Sequence, residues 1–193
     1  MNAQFPQIGD LGLAKGIDKA VLYLNVHYSS AFTLLKNILL AYVNFLQNIL
    51  NWLPWWLFLL LVVVLGKKLR HSFWQGLALA GLVSLIGLVG YWQMMNETLA
   101  IVLAAVSISL LPGFPLGVLF SIVNDKYFLP LLDAMQTMPT FVYMIPAVML
   151  LGPGKVPAVL ATVVYAVVPL IRLTSHGIRH VDSAMVEAAQ AFG

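Results

Sequence analysis

Long apolar stretches alternate with short polar segments along most of the chain. A helix that crosses the hydrocarbon core of a bilayer needs about 20 mainly apolar residues. The pattern predicts five spans, of which the first can extend backward through Phe45 and the fourth has Asp133 near its start: 52–66, 73–92, 99–123, 130–151 and 156–171. The short connections predict antiparallel neighbours and lie at 67–71, Asn96–Glu97, 124–126 and 152–155.

The composition supports a membrane protein, because 61% of the 193 residues are hydrophobic and only 9% are charged. Soluble globular domains carry about 25% charged residues, so a water-soluble surface is excluded. The net charge of +3, with no long basic run, gives no indication of a nucleic-acid partner. The chain has no cysteine, which excludes disulfides and thiol catalysis.

The sequence predicts no catalytic residue and no metal site. His176 and His180 have a spacing that can bind a metal on one helical face, but no third ligand is nearby and Gly177 disfavours a helix there. Asp133 lies near a span end, where it can reach water, and Arg172 is interpreted as an anchor at the membrane interface.

Residues 1–51 are predicted to form an extracytoplasmic tail, and residues 52–193 the transmembrane domain. Within the tail, apolar residues of the segment 17–50 recur at steps of three and four, the period of an amphipathic helix. A break is expected near Ser29–Ser30. Two placements remain open, because such a helix can lie on the outer membrane surface or pack on a partner subunit.

Lysine and arginine residues in the short loops predict the orientation, because cytoplasmic loops carry an excess of them. One set of alternate loops carries six such residues, and the opposite set carries only Lys155. The richer set is assigned to the cytoplasm, so that the N-terminus lies outside and the C-terminus inside. The six residues are Lys67, Lys68, Arg70, Lys126, Arg172 and Arg179.

Prolines inside the apolar spans predict bent helices. Each proline removes a backbone donor, and in lipid the freed carbonyl must find a partner in protein or water. Such bends are typical of helices that line a transport path, and proline is also common in membrane helices generally. The residues are Pro112, Pro115, Pro139, Pro146 and Pro169.

The C-terminal segment, about 182–193, predicts a short amphipathic helix on the cytoplasmic side. Asp182 or Ser183 can cap its start, and Gly193 can end it. Its apolar face contains small alanines, which allow close approach to a partner. Because a helix this short is marginal alone, docking into a groove of another protein is favoured.

Two parts of the sequence resemble one family of transport proteins. The motif Glu187-Ala188-Ala189-x-x-x-Gly193 resembles the EAA motif of ABC-importer membrane subunits. The segment 135–146 is similar to the membrane subunit of glycine betaine/proline betaine importers, and the similarity continues through 152–157, 169–174 and 177–179. It is continuous from about residue 133 to residue 193 and weaker back to about residue 53.

The resemblance implies an all-α, polytopic bundle of the type I ABC importer permease kind, with a cytoplasmic coupling helix. It implies ATP-driven import of quaternary ammonium osmoprotectants across the inner membrane by alternating access. The implied partners are an ATP-binding cassette subunit that hydrolyses the ATP, an extracytoplasmic substrate-binding protein and a second permease copy, with no cofactor bound by this chain. The resemblance assigns coupling to the ATPase to the residues Glu187, Ala188, Ala189 and Gly193. It assigns a translocation path to the residues Gln136, Thr137, Pro139, Phe141, Tyr143 and Pro146.

Two other interpretations stay open. An ion-coupled secondary transporter or channel needs acids or histidines within the membrane as ion relays, whereas between residues 72 and 123 only Glu97 is charged. The second is a non-transporting scaffold or truncated remnant. The family pattern continues beyond its glycine into further transmembrane helices, whereas this sequence stops at Gly193. If the sequence is a fragment, the missing part supplies the rest of the path. The pattern does not distinguish betaine, proline betaine, choline and carnitine.

Overall fold

The computed structural model describes residues 13–70, 72–123 and 125–193, which are almost entirely α-helical. The first part of the predicted tail (residues 1–12) and two residues of the predicted connections, His71 and Asn124, lie outside this description. The all-α class predicted from the apolar pattern is confirmed. The helices are α1 (Leu13–Trp52), α2 (Trp55–Arg70), α3 (Phe73–Leu88), α4 (Trp92–Ser121), α5 (Asp125–Thr137), α6 (Phe141–Leu151), α7 (Lys155–Arg179) and α8 (Ser183–Phe192).

Among the described residues, three helical segments are long and apolar enough to cross a membrane: Asp18–Trp52 of α1, α4 and α7. The α5–α6 pair, bent by 75°, is a fourth candidate if it counts as one broken span. The helices α2 and α3 have 16 residues each, or about 24 Å at the usual rise. That is less than the hydrocarbon core of about 30 Å, so the spans predicted at 52–66 and 73–92 are too short, whereas α1, predicted as part of the extracytoplasmic tail, is long enough to cross.

The N-terminal helix α1 is a single long element with one kink. Tyr28 has non-helical backbone angles, one residue before the break expected at Ser29–Ser30. The helix ends at Trp52, and Pro54 separates it from α2. The prediction that the first span extends backward through Phe45 is therefore wrong, because the chain leaves the helix between the two segments.

Two further helix limits differ from the predictions. The connection expected at Asn96–Glu97 is wrong, because the chain turns before Trp92, where Gly90 has a φ of +87°, and α4 continues through both polar residues. The expectation that Gly177 disfavours a helix is also wrong, since α7 continues through it to Arg179.

The helices α4 and α7 form the centre of the bundle and run in the same direction. Near their starts, Lys155 Nζ lies 3.6 Å from Glu97 Oε1. At their ends, Arg179 Nε donates to the Ser121 carbonyl at 2.9 Å. The broken pair α5–α6 returns the chain between them, so the predicted alternation of directions holds for this part of the bundle.

The helix α1 packs on the α4–α7 pair through its apolar stripe. Val43 is fully buried in a cluster with Ala100 of α4 and Val159 of α7. The Tyr42 hydroxyl lies 2.9 Å from Ser107 Oγ. The stripe therefore covers helices of its own chain, an arrangement that neither predicted placement included.

The helices α2 and α3 form a hairpin beside the bundle. A Cβ built on Gly66 would lie 2.6 Å from Gly76 Cα, and one built on Gly76 would lie 2.5 Å from the Val63 carbonyl oxygen. Only glycine allows this approach. The hairpin meets the bundle at the start of α4, where the Phe58 ring packs edge-on against Trp92 at 5.4 Å.

Candidate coupling helix and broken span

The C-terminal helix α8 is capped at both ends as the sequence predicts. The Asp182 carboxylate accepts a hydrogen bond from the Ala184 backbone N–H at 2.9 Å. Gly193 follows the helix with a φ of +93°, a left-handed conformation that favours glycine. Asp182, rather than Ser183, is therefore the N-cap.

No residue of α8 is buried. Glu187, Ala188 and Ala189 are all exposed, and Phe192 has 94% of its surface exposed. Apolar side chains on so short a helix gain nothing from burial within this chain, so the helix is held by its two caps and by its link to α7. An open apolar groove on the surface of this helix includes Ala189 and Gly193 of the motif. Its other lining residues are Val181, Met185, Val186 and Gln190.

The end of α7 is tied to its neighbours immediately before α8. The Arg179 guanidinium donates to three backbone carbonyls at the end of α4: Ser121 at 2.9 Å, Phe120 at 2.7 Å and Val123 at 2.5 Å. The ring centres of His176 and His180 lie 3.9 Å apart at the same end of α7. Across the described residues, no three histidine and acidic side chains group closely enough to hold a metal ion.

The predicted path residues lie at the break between α5 and α6. Pro139 is in the break itself, where neither helix continues. The Tyr143 hydroxyl, on α6, donates to the Met135 carbonyl of α5 at 2.8 Å and so joins the two halves across the bend. Pro146 lies inside α6 and is exposed.

The other three path residues surround this joint. Gln136 is half-buried on α5, whereas Thr137 is exposed and its hydroxyl donates to the Ala134 carbonyl at 3.1 Å. The Phe141 ring, at the start of α6, is 65% exposed. The structure thus places the six predicted residues within eleven positions around one bend, where Gln136 and Tyr143 are half-buried and the other four are exposed.

An ion pair joins the broken span to α7. Arg172 Nη2 pairs with Asp133 Oδ1, and neither residue was expected to have a protein partner. The Arg172 side chain is 33% exposed and that of Asp133 61%. The residues are 39 positions apart, and no local pattern in the sequence indicates their contact.

Glycines set the distance between α4 and α7. A Cβ built on Gly113 would lie 2.9 Å from Leu170 Cβ, and one built on Gly117 would lie 2.5 Å from Thr174 Cβ. Ala100 and Ala104 continue the small surface toward the start of α4 and are fully buried. Small residues at four-residue steps are typical of close helix packing in membranes, and this spacing was a signal that the sequence interpretation missed.

Residues 105–193 match the family described as binding-protein-dependent transport system inner membrane component. The glycine betaine/carnitine transport permease protein GbuB of Listeria monocytogenes is 39% identical over 97% of this chain and 68% of its own length. The chain belongs to this permease family.

Two further relatives cover less of their own length. The glycine betaine transport system permease protein OpuAB of Bacillus subtilis is 37% identical over 94% of this chain and 64% of its own length. The glycine betaine/proline betaine transport system permease protein ProW of Escherichia coli is 46% identical over 62% of this chain and 36% of its own length. The permease described here therefore spans between about a third and two thirds of these relatives.

Family membership confirms the resemblance found in the sequence. The protein is a multi-pass permease subunit of the inner membrane and not an enzyme, because ATP hydrolysis in this family belongs to a separate subunit. Permeases of this family work with an ATP-binding subunit and a substrate-binding protein.

Proposed function

We propose that this permease is the membrane-spanning subunit of an ATP-driven importer for quaternary ammonium osmoprotectants of the glycine betaine class. The observation that carries the proposal is α8, a capped helix directly after α7 that bears the EAA-like motif and buries none of its residues. The substrate class is supported by the relatives, whose names specify glycine betaine, carnitine and proline betaine.

In this proposal α8 docks into a cleft of the ATP-binding subunit. Glu187 contacts that subunit, while Ala188 and Ala189 allow close approach and Gly193 ends the helix. Only residues 180–182 separate α8 from α7, so closure of the ATPase dimer moves the two helices together. Alternating access then follows as a two-state equilibrium that ATP binding biases through its preference for one state.

The broken span lines the substrate path in the same proposal. Backbone carbonyls at an interruption cannot face lipid unpaired, and here the Met135 carbonyl accepts from the Tyr143 hydroxyl while the Pro139 and Thr140 carbonyls accept from backbone N–H groups of α6. Phe141 offers an exposed ring face, which attracts a quaternary ammonium group weakly. Weak contact suits a passage that must release its cargo, and tight capture belongs to the substrate-binding protein. A second copy of the permease completes the path as a homodimer.

The orientation belongs to the proposal as well. The α8 end is cytoplasmic, and Arg172 and Arg179 lie near it. At the opposite end of the bundle Asn25 Nδ2, in the N-terminal half of α1, donates to the Met149 carbonyl near the end of α6 at 3.2 Å. This contact supports an extracytoplasmic N-terminus.

The test is glycine betaine uptake into vesicles by the reconstituted importer with its full-length permease. We expect uptake to require ATP and to fall about tenfold, or about 1.4 kcal/mol, in Glu187→Ala and Gly193→Leu. Ser183→Ala, on the same helix but outside the motif, should transport normally.

Three results would contradict the proposal. Unchanged uptake and ATPase coupling in both motif variants would remove the coupling role of α8. Uptake that persists without ATP and collapses with the proton gradient would indicate an ion-coupled transporter. Failure to co-purify with an ATP-binding subunit would indicate a non-transporting scaffold.

A further inference from the structure

One side chain, Arg179, connects three helices at the end of the bundle that carries α8. It is the last residue of α7. Its Nε and Nη2 atoms donate to the carbonyls of Phe120, Ser121 and Val123 at the end of α4. Its guanidinium carbon also lies 5.9 Å from the centre of the Phe128 ring of α5. Phe128 in turn stacks on Phe120 at 4.5 Å.

The chemistry explains why this residue is arginine. The last carbonyls of a helix have no partner within the helix, and they carry the negative end of its dipole. A planar guanidinium presents several donors in a fixed fork and can also stack on an aromatic ring. Arg179 therefore caps α4 from the neighbouring helix and packs on α5 at the same time.

The position of Arg179 in the chain gives this cap a second consequence. Three residues later, Asp182 begins α8 by accepting the Ala184 N–H. Because the link between α7 and α8 is so short, the direction of α8 depends on how firmly the end of α7 is held. The cap holds that end against α4 and α5, so a push on α8 acts on all three helices.

We propose that Arg179 is a positioning residue that fixes the coupling helix to the ends of α4 and α5, so that movement of the ATP-binding subunit reaches the broken span. This inference rests on the proposed function, because it takes α8 as the contact with the ATPase. Arg179 itself touches neither substrate nor ATP in this role. Its loss should separate ATP hydrolysis from transport while the importer remains assembled.

The first measurement is the number of glycine betaine molecules imported per ATP hydrolysed by the reconstituted full-length importer. We expect Arg179→Ala to lower this ratio about tenfold, with ATP hydrolysis retained. Arg179→Lys keeps the charge but loses the fork, so a decrease of about threefold is expected. Lys68→Gln, which removes one exposed charge on α2, is the matched control and should leave the ratio unchanged.

The second measurement follows the position of α8 directly. None of the 193 residues is cysteine, so this part of the permease needs no cysteine removed before spin labels are attached at Ile122→Cys, just beyond α4, and Gln190→Cys on α8. Both sites are exposed. We expect a narrow distance distribution in the assembled importer, a broad one with Arg179→Ala and an intermediate width with Arg179→Lys.

The outcomes separate this inference from the proposed function. If Glu187→Ala lowers the transport ratio and Arg179→Ala does not, the positioning role of Arg179 is overturned and the coupling role of α8 stands. Proportional loss of uptake and hydrolysis with an unchanged ratio also overturns it, because it indicates only assembly. If Arg179→Ala fails to assemble, Arg179→Lys decides, and an unchanged ratio and distance width in that variant overturn the inference. If neither Glu187→Ala nor Arg179→Ala alters the ratio, the proposed function fails as well.

Discussion

Two apolar parts of this permease differ in how their helices are arranged. The α4–α7 pair consists of two long helices of 30 and 25 residues that run side by side. The α5–α6 span is made of two short helices that meet at 75°. Proline lies inside both parts, at Pro112, Pro115 and Pro169 in the pair and at Pro130 and Pro146 in the span.

The difference shows that proline alone does not break these helices. In the pair, close contacts flank the prolines, with Gly113 against Leu170 and Gly117 against Thr174, and the chain continues as helix. In the broken span the interruption falls at residues 138–140, where Pro139 disfavours a helical conformation of the preceding residue. We therefore expect the pair to act as a fixed unit and the broken span as the part whose geometry can change.

The largest effect is expected from forcing the pair apart. A Cβ at position 117 would lie 2.5 Å from Thr174 Cβ and 3.1 Å from the Ile171 carbonyl oxygen, so Gly117→Leu cannot be accommodated without moving a helix. Overpacking of this kind costs about 1–3 kcal/mol and sometimes more. Thermal unfolding of the purified permease, followed by size-exclusion chromatography after heating, should show a clear loss of stability.

A second glycine provides the control for this variant. A Cβ built on Gly81 of α3 meets no atom within 4 Å, so Gly81→Leu adds the same side chain without a collision. Its unfolding temperature should match that of the parent. Equal stability of the two leucine variants would show that the pair is not held by glycine contact and would remove its description as a fixed unit.

A smaller effect is expected at the joint of the broken span. Tyr143→Phe removes the 2.8 Å hydrogen bond to the Met135 carbonyl, and a hydrogen bond of this kind contributes about 0.5–1.5 kcal/mol. Because the bond connects α5 to α6, its loss should favour local opening more than global unfolding. Hydrogen exchange measured by mass spectrometry should become faster in peptides that cover residues 138–151.

Tyr127→Phe is the matched control for this joint. The Tyr127 ring on α5 is 77% exposed, and its hydroxyl makes no hydrogen bond to the described residues. Exchange across the bend should be the same as in the parent. If Tyr143→Phe also leaves exchange unchanged, the bend does not depend on this bond, and the contrast with the α4–α7 pair rests on the backbone alone.

Features set by neighbouring residues could be predicted from the sequence. The start of α8 follows from Asp182 and its end from Gly193, because caps act within one turn of a helix. A bend at Pro139 was predicted from local proline chemistry, but Pro112, Pro115, Pro146 and Pro169 carried the same prediction and lie inside continuous helices. The family motif at 187–193 is likewise a local pattern, although its role in coupling depends on a partner that the pattern does not contain.

Features that depend on distant partners could not be predicted in this way. Asn96 and Glu97 were interpreted as a connection because two polar residues interrupt an apolar stretch. They remain inside α4 because Asn96 Nδ2 donates to Asn51 Oδ1 of α1 at 3.0 Å and Glu97 lies near Lys155 of α7. Such contacts join positions tens of residues apart, and a single sequence carries no record of them. The Arg179 cap on α4 was missed for the same reason.

The smallest effect is expected where α1 joins the pair. Lys155 Nζ lies 3.6 Å from Glu97 Oε1 and 2.5 Å from Gln47 Oε1, with side chains 23% and 40% exposed for the lysine and the glutamate. Partly exposed ion pairs contribute about 0.2–1 kcal/mol and are screened by salt. Lys155→Gln should therefore lower the unfolding temperature slightly at low ionic strength, and the difference should shrink in about 1 M salt, where the Debye length is about 3 Å.

Lys68→Gln removes an exposed lysine charge outside this contact and should show no such salt dependence. A difference for Lys155→Gln that persists unchanged in salt would mean that hydrogen bonding to Gln47, rather than charge, joins α1 to the start of the pair.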